Sequence, residues 1–163
     1  MGFKAYMDKY HTYHINLIWT GNRGSGTKTY RGYSRDHIIS VNGKPDIPFS
    51  SDQTFRGNPE RYNPEEMLLA SISSCHMLWY LHLCAVNGVV VMEYTDNPTG
   101  KLIENADGSG RFEEVVLHPQ MVVSEKFMVE KAKELHYDAN KMCFIANSVN
   151  FPVNHFPVIT SLK

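Results

Sequence analysis

The clearest pattern in the sequence is a long apolar stretch that begins at Pro64 and ends before Asn87-Gly88. Asn63 suits an N-cap, Pro64 suits the first helical position, and Glu66 completes a capping-box pattern. Asn87-Gly88 supplies a left-handed C-terminal stop. The apolar positions between these signals are Met67, Leu68, Ile72, Leu78, Trp79, Leu81, Leu83 and Val86. The pattern predicts one long helix with Cys75 in its middle.

The segments before this helix have the shorter patterns of strands and turns. Alternating apolar positions within residues 5–19 predict a first strand, and the glycine-rich segment 21–26 predicts a turn. Residues 27–39 read as a second strand, while 43–48 and 50–62 are rich in loop-forming residues. We therefore expect a small β-structure ahead of the helix.

The segments after the helix predict further strands and a second helical region. Three antiparallel strands are expected, the last two joined by a turn at 105–110, and they cover residues 89–94, 101–104 and 111–123. A helix over residues 125–136, one or two helical turns over 139–146 and a strand over 157–162 complete the chain. This order is that of an α+β fold, and no linker or repeat divides residues 1–163 into more than one domain.

Composition narrows the class of protein. The chain has 163 residues, 42% of them hydrophobic, and a formal net charge of −1, which favours a soluble globular protein over a nucleic-acid binder or a disordered chain. The first 30 residues lack the features of a secretion signal, and no apolar run approaches the length needed to span a bilayer, so we expect a cytoplasmic protein without a membrane partner. Three cysteines do not form a disulfide framework, which favours free thiols with packing or redox roles.

Four sequence features resemble those of one known family. They are the Asn63-Pro64-Glu65-Glu66 motif, Cys75 ten residues after Glu65, the late Cys143, and Arg23 within a Thr-Gly-Asn-Arg-Gly turn. Together they resemble the OsmC/Ohr family of organic-hydroperoxide-reducing proteins, and the OsmC-like branch in particular, over nearly the whole chain. The resemblance implies an OsmC-like fold in which antiparallel sheets wrap long central helices in an intertwined homodimer, with two active sites at the dimer interface.

The resemblance also implies an activity and a set of site residues. It implies a thiol-dependent peroxidase in which Cys75 attacks an organic hydroperoxide, Cys143 resolves the product as a disulfide, and Arg23 and Glu65 assist. No bound cofactor is required, and an external dithiol, with a lipoyl-type dithiol as one candidate, acts as the reductant. In the family the second cysteine is commonly followed by Pro and, two positions later, Ser. Here Phe144-Ile145-Ala146 follows Cys143, a change that bears on the resolving step and on the choice of reductant.

Elementary chemistry sets requirements on Cys75 that do not depend on the family. A cysteine among apolar groups stays a protonated thiol unless a cation stabilises the thiolate, and Cys75 lies too far along its helix to use the N-terminal dipole. Arg23 is the best candidate for that cation, with Arg31 and Arg35 as competitors. Glu65 can orient Arg23, but ten helical residues rise about 15 Å. Either the long arginine bridges this gap or a second subunit contributes.

Each candidate also has a purely structural interpretation. Arg23 can be a solvated turn residue, Glu65 can simply complement the helix dipole, and Cys143 can be a small core residue. Cys84 lies nine residues after Cys75, on the opposite face of the helix. We therefore expect Cys84 in the core, with no part in the chemistry.

The eight histidines raise the question of a metal site. His11 and His14 are three residues apart on a predicted strand, which places them on opposite faces, and no zinc-binding spacing accompanies them. We expect no metal. His76 and His82 on the long helix are expected to face a polar interface or another chain, and neither is placed to act as a base for Cys75.

Two classes of function remain open. The first is the cysteine peroxidase, whose apolar pocket, rich in Met and aromatic residues, favours alkyl hydroperoxides. The second is a non-enzymatic, stress-related protein that binds a lipid-like ligand in the same pocket. Rapid loss of one thiol on addition of an organic hydroperoxide distinguishes the enzyme from the binding protein.

Overall fold

The computed structural model describes residues 9–163. The chain divides into two compact units, Met1–Pro64 and Glu65–Lys163. The single domain expected over residues 1–163 stays a prediction. Residues 5–8 of the predicted first strand lie outside the described residues.

The first unit contains one small antiparallel sheet. Its strands are β1 (Asn16–Trp19), β2 (His37–Ser40) and β3 (Ile47–Phe49), in the order β1-β2-β3. A single 3₁₀ turn at Gln53–Phe55 follows the sheet.

Three predictions for this unit are wrong in part. The first strand does not cover residues 9–15, because β1 begins at Asn16. The second strand does not cover residues 27–36. The chain makes consecutive turns up to residue 33, one of them closed by a 3.0 Å hydrogen bond from the Gly32 N–H to the Thr29 carbonyl, and it is irregular from 34 to 36. Strand β3 falls in a stretch expected to be loop-rich. It tolerates Pro48 because it lies at the edge of this sheet, where a missing N–H leaves no central hydrogen bond unmade.

The sheet of the first unit leaves much of its apolar surface uncovered. All four residues of β1 are exposed. The apolar side chains on and next to this strand are between 40% and 64% exposed, and they are Ile15, Leu17, Ile18 and Trp19. A strand of this composition normally has one covered face.

The second unit is built around the predicted long helix, α1 (Pro64–Val86). Its buried side chains recur every four residues and form one stripe along the helix, made of Ile72, His76, Tyr80 and Cys84. Among the described residues, α1 is the helix with the length and apolar composition to cross a membrane. This corrects the expectation that no segment comes near that length. A core helix of a soluble protein has the same two properties.

Six strands follow α1 in the second unit. They are β4 (Val91–Thr95), β5 (Thr99–Glu104), β6 (Gly110–Leu117), β7 (Gln120–Val123), β8 (Val153–His155) and β9 (Val158–Ser161). They form two sheets of three, ordered β4-β7-β9 and β5-β6-β8. Within these sheets β4 pairs antiparallel with β7 and β5 with β6, whereas the pairs β7-β9 and β6-β8 are parallel. The α+β fold is therefore confirmed.

The single strand predicted over residues 111–123 is in fact two strands in different sheets. They separate at His118 and Pro119, where the His118 N–H leaves the ladder and donates to Asp96 Oδ1 at 2.7 Å. Proline has no N–H to offer a central ladder. Strand β8 was not predicted, and β9 was expected within 157–162.

The second helical region is one continuous helix, α2 (Val129–Met142), preceded by a 3₁₀ turn at Lys126–Met128. The predicted break between residues 136 and 139 is wrong, because no glycine or proline interrupts the helix there. Helix α2 ends at Cys143, whose extended backbone (φ −68°, ψ 107°) makes it the C-cap. Cys143 thus follows a helix and does not lie within one.

Candidate active site

Two cysteines that are far apart in the sequence meet in the second unit. Cys75 lies half-buried on α1, and Cys143 is fully buried at the end of α2. Their side chains lie close enough for Cys75 to raise the pKa of the Cys143 thiol, and both are free thiols. Two thiols in contact are placed for exchange between a dithiol and a disulfide.

The residues after Cys143 hold it against α1 on two sides. The Phe144 ring meets the Trp79 ring edge-on, with centroids 5.6 Å apart. Ile145 packs against a buried cluster that includes Ile72. Trp79 lies one helical turn after Cys75, and Ile72 lies about one turn before it. The segment is therefore anchored on both sides of the Cys75 position.

Hydrogen bonds order the turn around Cys143. The Ala146 N–H donates to Cys143 Sγ at 3.4 Å, and the Asn147 N–H donates to the Cys143 carbonyl at 3.0 Å. Burial, together with the neighbouring Cys75 side chain, raises the pKa of the Cys143 thiol to about 11, against the opposing effect of the Ala146 N–H. Cys143 therefore keeps its proton at neutral pH and can donate its S–H to the sulfur of Cys75.

Glu65 and Arg23 belong to different units of the chain. Glu65 lies in the first turn of α1, and its Oε2 atom is buried without a hydrogen-bond partner in the described part of the chain. Arg23 is an exposed residue of the first unit, where its charge acts on Asp36. The competing Arg31 lies in a turn and Arg35 lies in an irregular segment before β2, so neither lies in a strand. The roles of Arg23 and Glu65 stay predictions.

Cys84 is a core residue, as predicted. It is 1% exposed within the cluster that surrounds Tyr80. Burial raises the pKa of the Cys84 thiol. A buried thiol of this kind is unreactive.

A buried group of histidines next to Cys75 was not predicted. His76 is fully buried, and its Nε2 lies 2.9 Å from Nδ1 of the equally buried His136 on α2. The Tyr80 ring stacks on His136 with centroids 3.8 Å apart, and His155 lies 5.4 Å from His76, centroid to centroid. We call His76, His136 and His155 the histidine cluster.

The environment of the histidine cluster keeps its members neutral. Burial, followed by the charge of the neighbouring histidines, lowers the pKa of His76 to about 4 and that of His136 to about 3, and burial also lowers the pKa of His155. The expectation that His76 faces a polar interface or another chain is therefore wrong. The four-residue spacing of Ile72, His76 and Tyr80 was the signal that places His76 on the buried stripe. Within residues 9–163, no three His, Cys, Asp or Glu side chains are arranged to hold a metal ion.

Comparison with known proteins places this geometry in a family. The family model described as OsmC-like protein matches residues 57–155. An OsmC-like protein of unknown function from Vibrio cholerae O1 biovar eltor is 32% identical, with a TM-score of 0.81 over 91% of this chain and 100% of that chain. No curated protein matches the sequence.

More distant structures share the fold. An organic hydroperoxide resistance protein from Elizabethkingia anophelis is 19% identical, with a TM-score of 0.66 over 94% of this chain and 99% of that one. An organic hydroperoxide resistance protein, OsmC, from Legionella pneumophila is 14% identical, with the same TM-score and the same shares of the two chains. The class defined by the fold is thus an α+β protein of OsmC type. The chain belongs to the OsmC-like family.

Proposed function

We propose that the protein is a thiol-dependent peroxidase that reduces organic hydroperoxides, with Cys75 as the attacking and Cys143 as the resolving cysteine. The observation that carries the proposal is the contact between these two thiols, one half-buried and one fully buried. Family membership, and the likeness to organic hydroperoxide resistance proteins from Elizabethkingia anophelis and Legionella pneumophila, support the choice of substrate class.

The proposed reaction uses no bound cofactor. The Cys75 thiolate attacks the distal oxygen of the hydroperoxide, so that an S–O bond forms, the O–O bond breaks, and the alkoxide leaves as an alcohol after taking a proton. The Cys143 sulfur then attacks the sulfenic sulfur, and its proton leaves with the hydroxyl group as water. An external dithiol reduces the resulting disulfide and is itself oxidised.

The contact geometry suits the order of these steps. Because Cys143 stays protonated up to a pKa of about 11, it does not compete with Cys75 for the peroxide at neutral pH. It can donate a hydrogen bond to the Cys75 sulfur before the attack. Once Cys75 carries the sulfenic acid, the resolving sulfur is already beside it.

We further propose that the active protein is a homodimer in the cytoplasm. The exposed apolar side chains of β1 and the exposed Leu78 and Val86 of α1 form surface that a second copy would cover. Oε2 of Glu65 is buried without a partner in the described part of one chain. An arginine from a second copy could pair with this oxygen and supply the positive charge that Cys75 requires. In this proposal Arg23 stabilises the Cys75 thiolate and Glu65 orients Arg23.

Stoichiometric oxidation tests the roles of the cysteines. After one equivalent of cumene hydroperoxide, mass spectrometry should find an intrachain disulfide between Cys75 and Cys143 in the wild type and in the control variant Cys84→Ser. Cys143→Ser should react once and accumulate a trappable sulfenic acid, whereas Cys75→Ser should not react.

Three outcomes would contradict this proposal. A disulfide that includes Cys84, or turnover by Cys75→Ser with dihydrolipoamide as the reductant, would overturn the assignment of roles. No thiol loss in the wild type would instead favour the non-enzymatic protein that binds a lipid-like ligand.

A further inference from the structure

The first unit contains a pocket whose walls are dominated by arginine. The pocket has a volume of about 330 Å³, and four of its ten lining residues are Arg23, Arg31, Arg35 and Arg56. Asp36 is the one acidic residue that lines it. The lining side chains therefore carry an excess of three positive charges.

The aspartate offsets these arginines only in part, because it also interacts with Arg61 and two serines. Asp36 pairs with Arg61 at 3.9 Å between Oδ1 and Nε. Although burial opposes ionisation, hydrogen bonds from Ser34 and Ser50 and the charges of Arg61 and Arg23 hold the pKa of Asp36 below its usual range. No carboxylate among residues 9–163 forms an ion pair with any of the four lining arginines.

Arg35 is held in place before any ligand arrives. Its guanidinium carbon lies 4.3 Å from the ring centroids of both Tyr30 and Tyr33, and its Nη1 donates to the Tyr33 carbonyl at 2.9 Å. Its other terminal nitrogen, Nη2, is buried and has no hydrogen-bond partner among residues 9–163. A fixed guanidinium with an unused donor favours binding of an oxyanion at little entropic cost.

The loop that carries Arg56 is also fixed by its backbone. A Cβ atom added to Gly57 would lie 1.5 Å from the Ser51 carbonyl oxygen, so the chain passes this point in close contact. The Asn58 N–H donates to Ser50 Oγ at 3.0 Å, and the Gly57 N–H donates to the Asp52 carbonyl at 3.0 Å. Arg56 is therefore carried on a rigid loop.

We propose that this pocket binds a small phosphorylated organic molecule through its phosphate monoester. A phosphate monoester carries close to two negative charges at neutral pH and offers three terminal oxygens, whereas a carboxylate carries one charge on two oxygens. Several guanidinium groups can therefore bind one phosphate, as arginine clusters do. A volume of about 330 Å³ leaves room for a compact organic group beside the phosphate. Arg31, Arg35 and Arg56 carry this proposal, because Arg23 is assigned above to Cys75. The proposal therefore does not depend on the thiol chemistry.

Trp19 provides a probe of the pocket. Its Nε1 donates to the carbonyl of Ser34 at 2.8 Å, and its ring meets the Tyr33 ring edge-on at 5.7 Å. Both Ser34 and Tyr33 line the pocket. In a Trp79→Phe background, Trp19 is the only tryptophan of the chain, so its fluorescence should report binding.

The experiment titrates this protein with glycerol 3-phosphate, without peroxide, at constant ionic strength. We expect a saturable fluorescence change, confirmed by calorimetry, and affinity for glycerate, the carboxylate analogue, that is at least about tenfold lower. The exposed substitutions Arg31→Gln and Arg56→Gln should each weaken glycerol 3-phosphate binding about tenfold. Arg111→Gln, an exposed arginine on β6, is the matched control and should leave the affinity unchanged. Arg23 stays unchanged because of its proposed role beside Cys75.

Any one of four results would overturn the proposal. The first three are an absence of saturable binding, equal affinity for glycerate and glycerol 3-phosphate, and unchanged affinity in both pocket variants. Equal weakening by Arg111→Gln would show attraction to overall charge and would also overturn it. Circular dichroism of each variant excludes misfolding as the cause of a loss.

Discussion

Acidification should destabilise the protein through its histidine cluster. In the folded chain the pKa of His76 is about 4 and that of His136 about 3, against about 6.5 in an unfolded chain. Between pH 6.5 and 4 the unfolded state therefore binds protons that the folded state does not bind. Stability contributed by these depressed pKa values is fully present above pH 6.5 and is lost as the pH falls.

The size of this loss follows from proton linkage. A histidine that stays neutral in the folded state contributes a loss of about 2 kcal/mol between pH 7 and pH 5, so His76 and His136 together contribute about 4 kcal/mol. His155, whose pKa is also lowered, adds to the effect. Asp36 and Asp52 have lowered pKa values too, but their effect falls near and below pH 4. Total stabilities of about 5–15 kcal/mol make the loss easy to measure.

The assay is urea unfolding at pH 7 and pH 5, at one protein concentration because of the proposed dimer. The variant His136→Gln removes one ionisable group from the histidine cluster and should reduce the loss by about 2 kcal/mol, even if its stability at pH 7 is lower. His82→Gln, at an exposed position on α1, is the control and should keep the wild-type slope. Equal stability at the two pH values, or a wild-type slope in His136→Gln, would refute this reasoning.

Three further predictions concern the proposed site and assembly. Arg23→Ala should strongly slow peroxide reduction and shift its pH profile upward. Arg23→Lys should recover only part of the rate, because lysine cannot form a planar bidentate pair with Glu65. Unchanged rates of peroxide reduction in stopped-flow measurements would move attention to Arg31 or Arg35. Sedimentation at low micromolar concentration should show a dimer, and a stable folded monomer would contradict this. Phe144→Ala should slow disulfide formation without slowing the first thiol loss, because the Phe144 ring packs against Trp79 and holds Cys143 near Cys75. Mass spectrometry of quenched samples measures both steps, and equal slowing of the two would argue against this role of Phe144.

The sequence predicted α1 well because local signals at both ends agreed with its apolar content. The N-cap, Pro64 and Asn87-Gly88 are short-range features, and the helix spans Pro64–Val86 as they indicate. The contact between Cys75 and Cys143 was expected only from family resemblance, since it joins a helix position and the C-cap of another helix, which no local pattern relates.

The predictions that were wrong depend on contacts between residues far apart in the sequence. Residues 111–123 look like one strand, yet Pro119 and the hydrogen bond from His118 to Asp96 divide them between two sheets. His76 is polar, so its place on the buried stripe depends on a partner, His136, from another helix. Pairing across the fold decides both outcomes, and a single sequence does not encode that pairing in a local pattern.

The residues that depart from the family pattern after Cys143 explain how this chain can still place a second thiol beside Cys75. A proline would fix the backbone after the cysteine by its ring. Here the backbone is fixed by packing, with Phe144 against Trp79 and Ile145 against the buried cluster around Ile72. Trp79 and Ile72 flank Cys75 on α1, so the same contacts that order the turn also set its distance from the attacking thiol. The altered sequence is therefore compatible with a resolving role for Cys143.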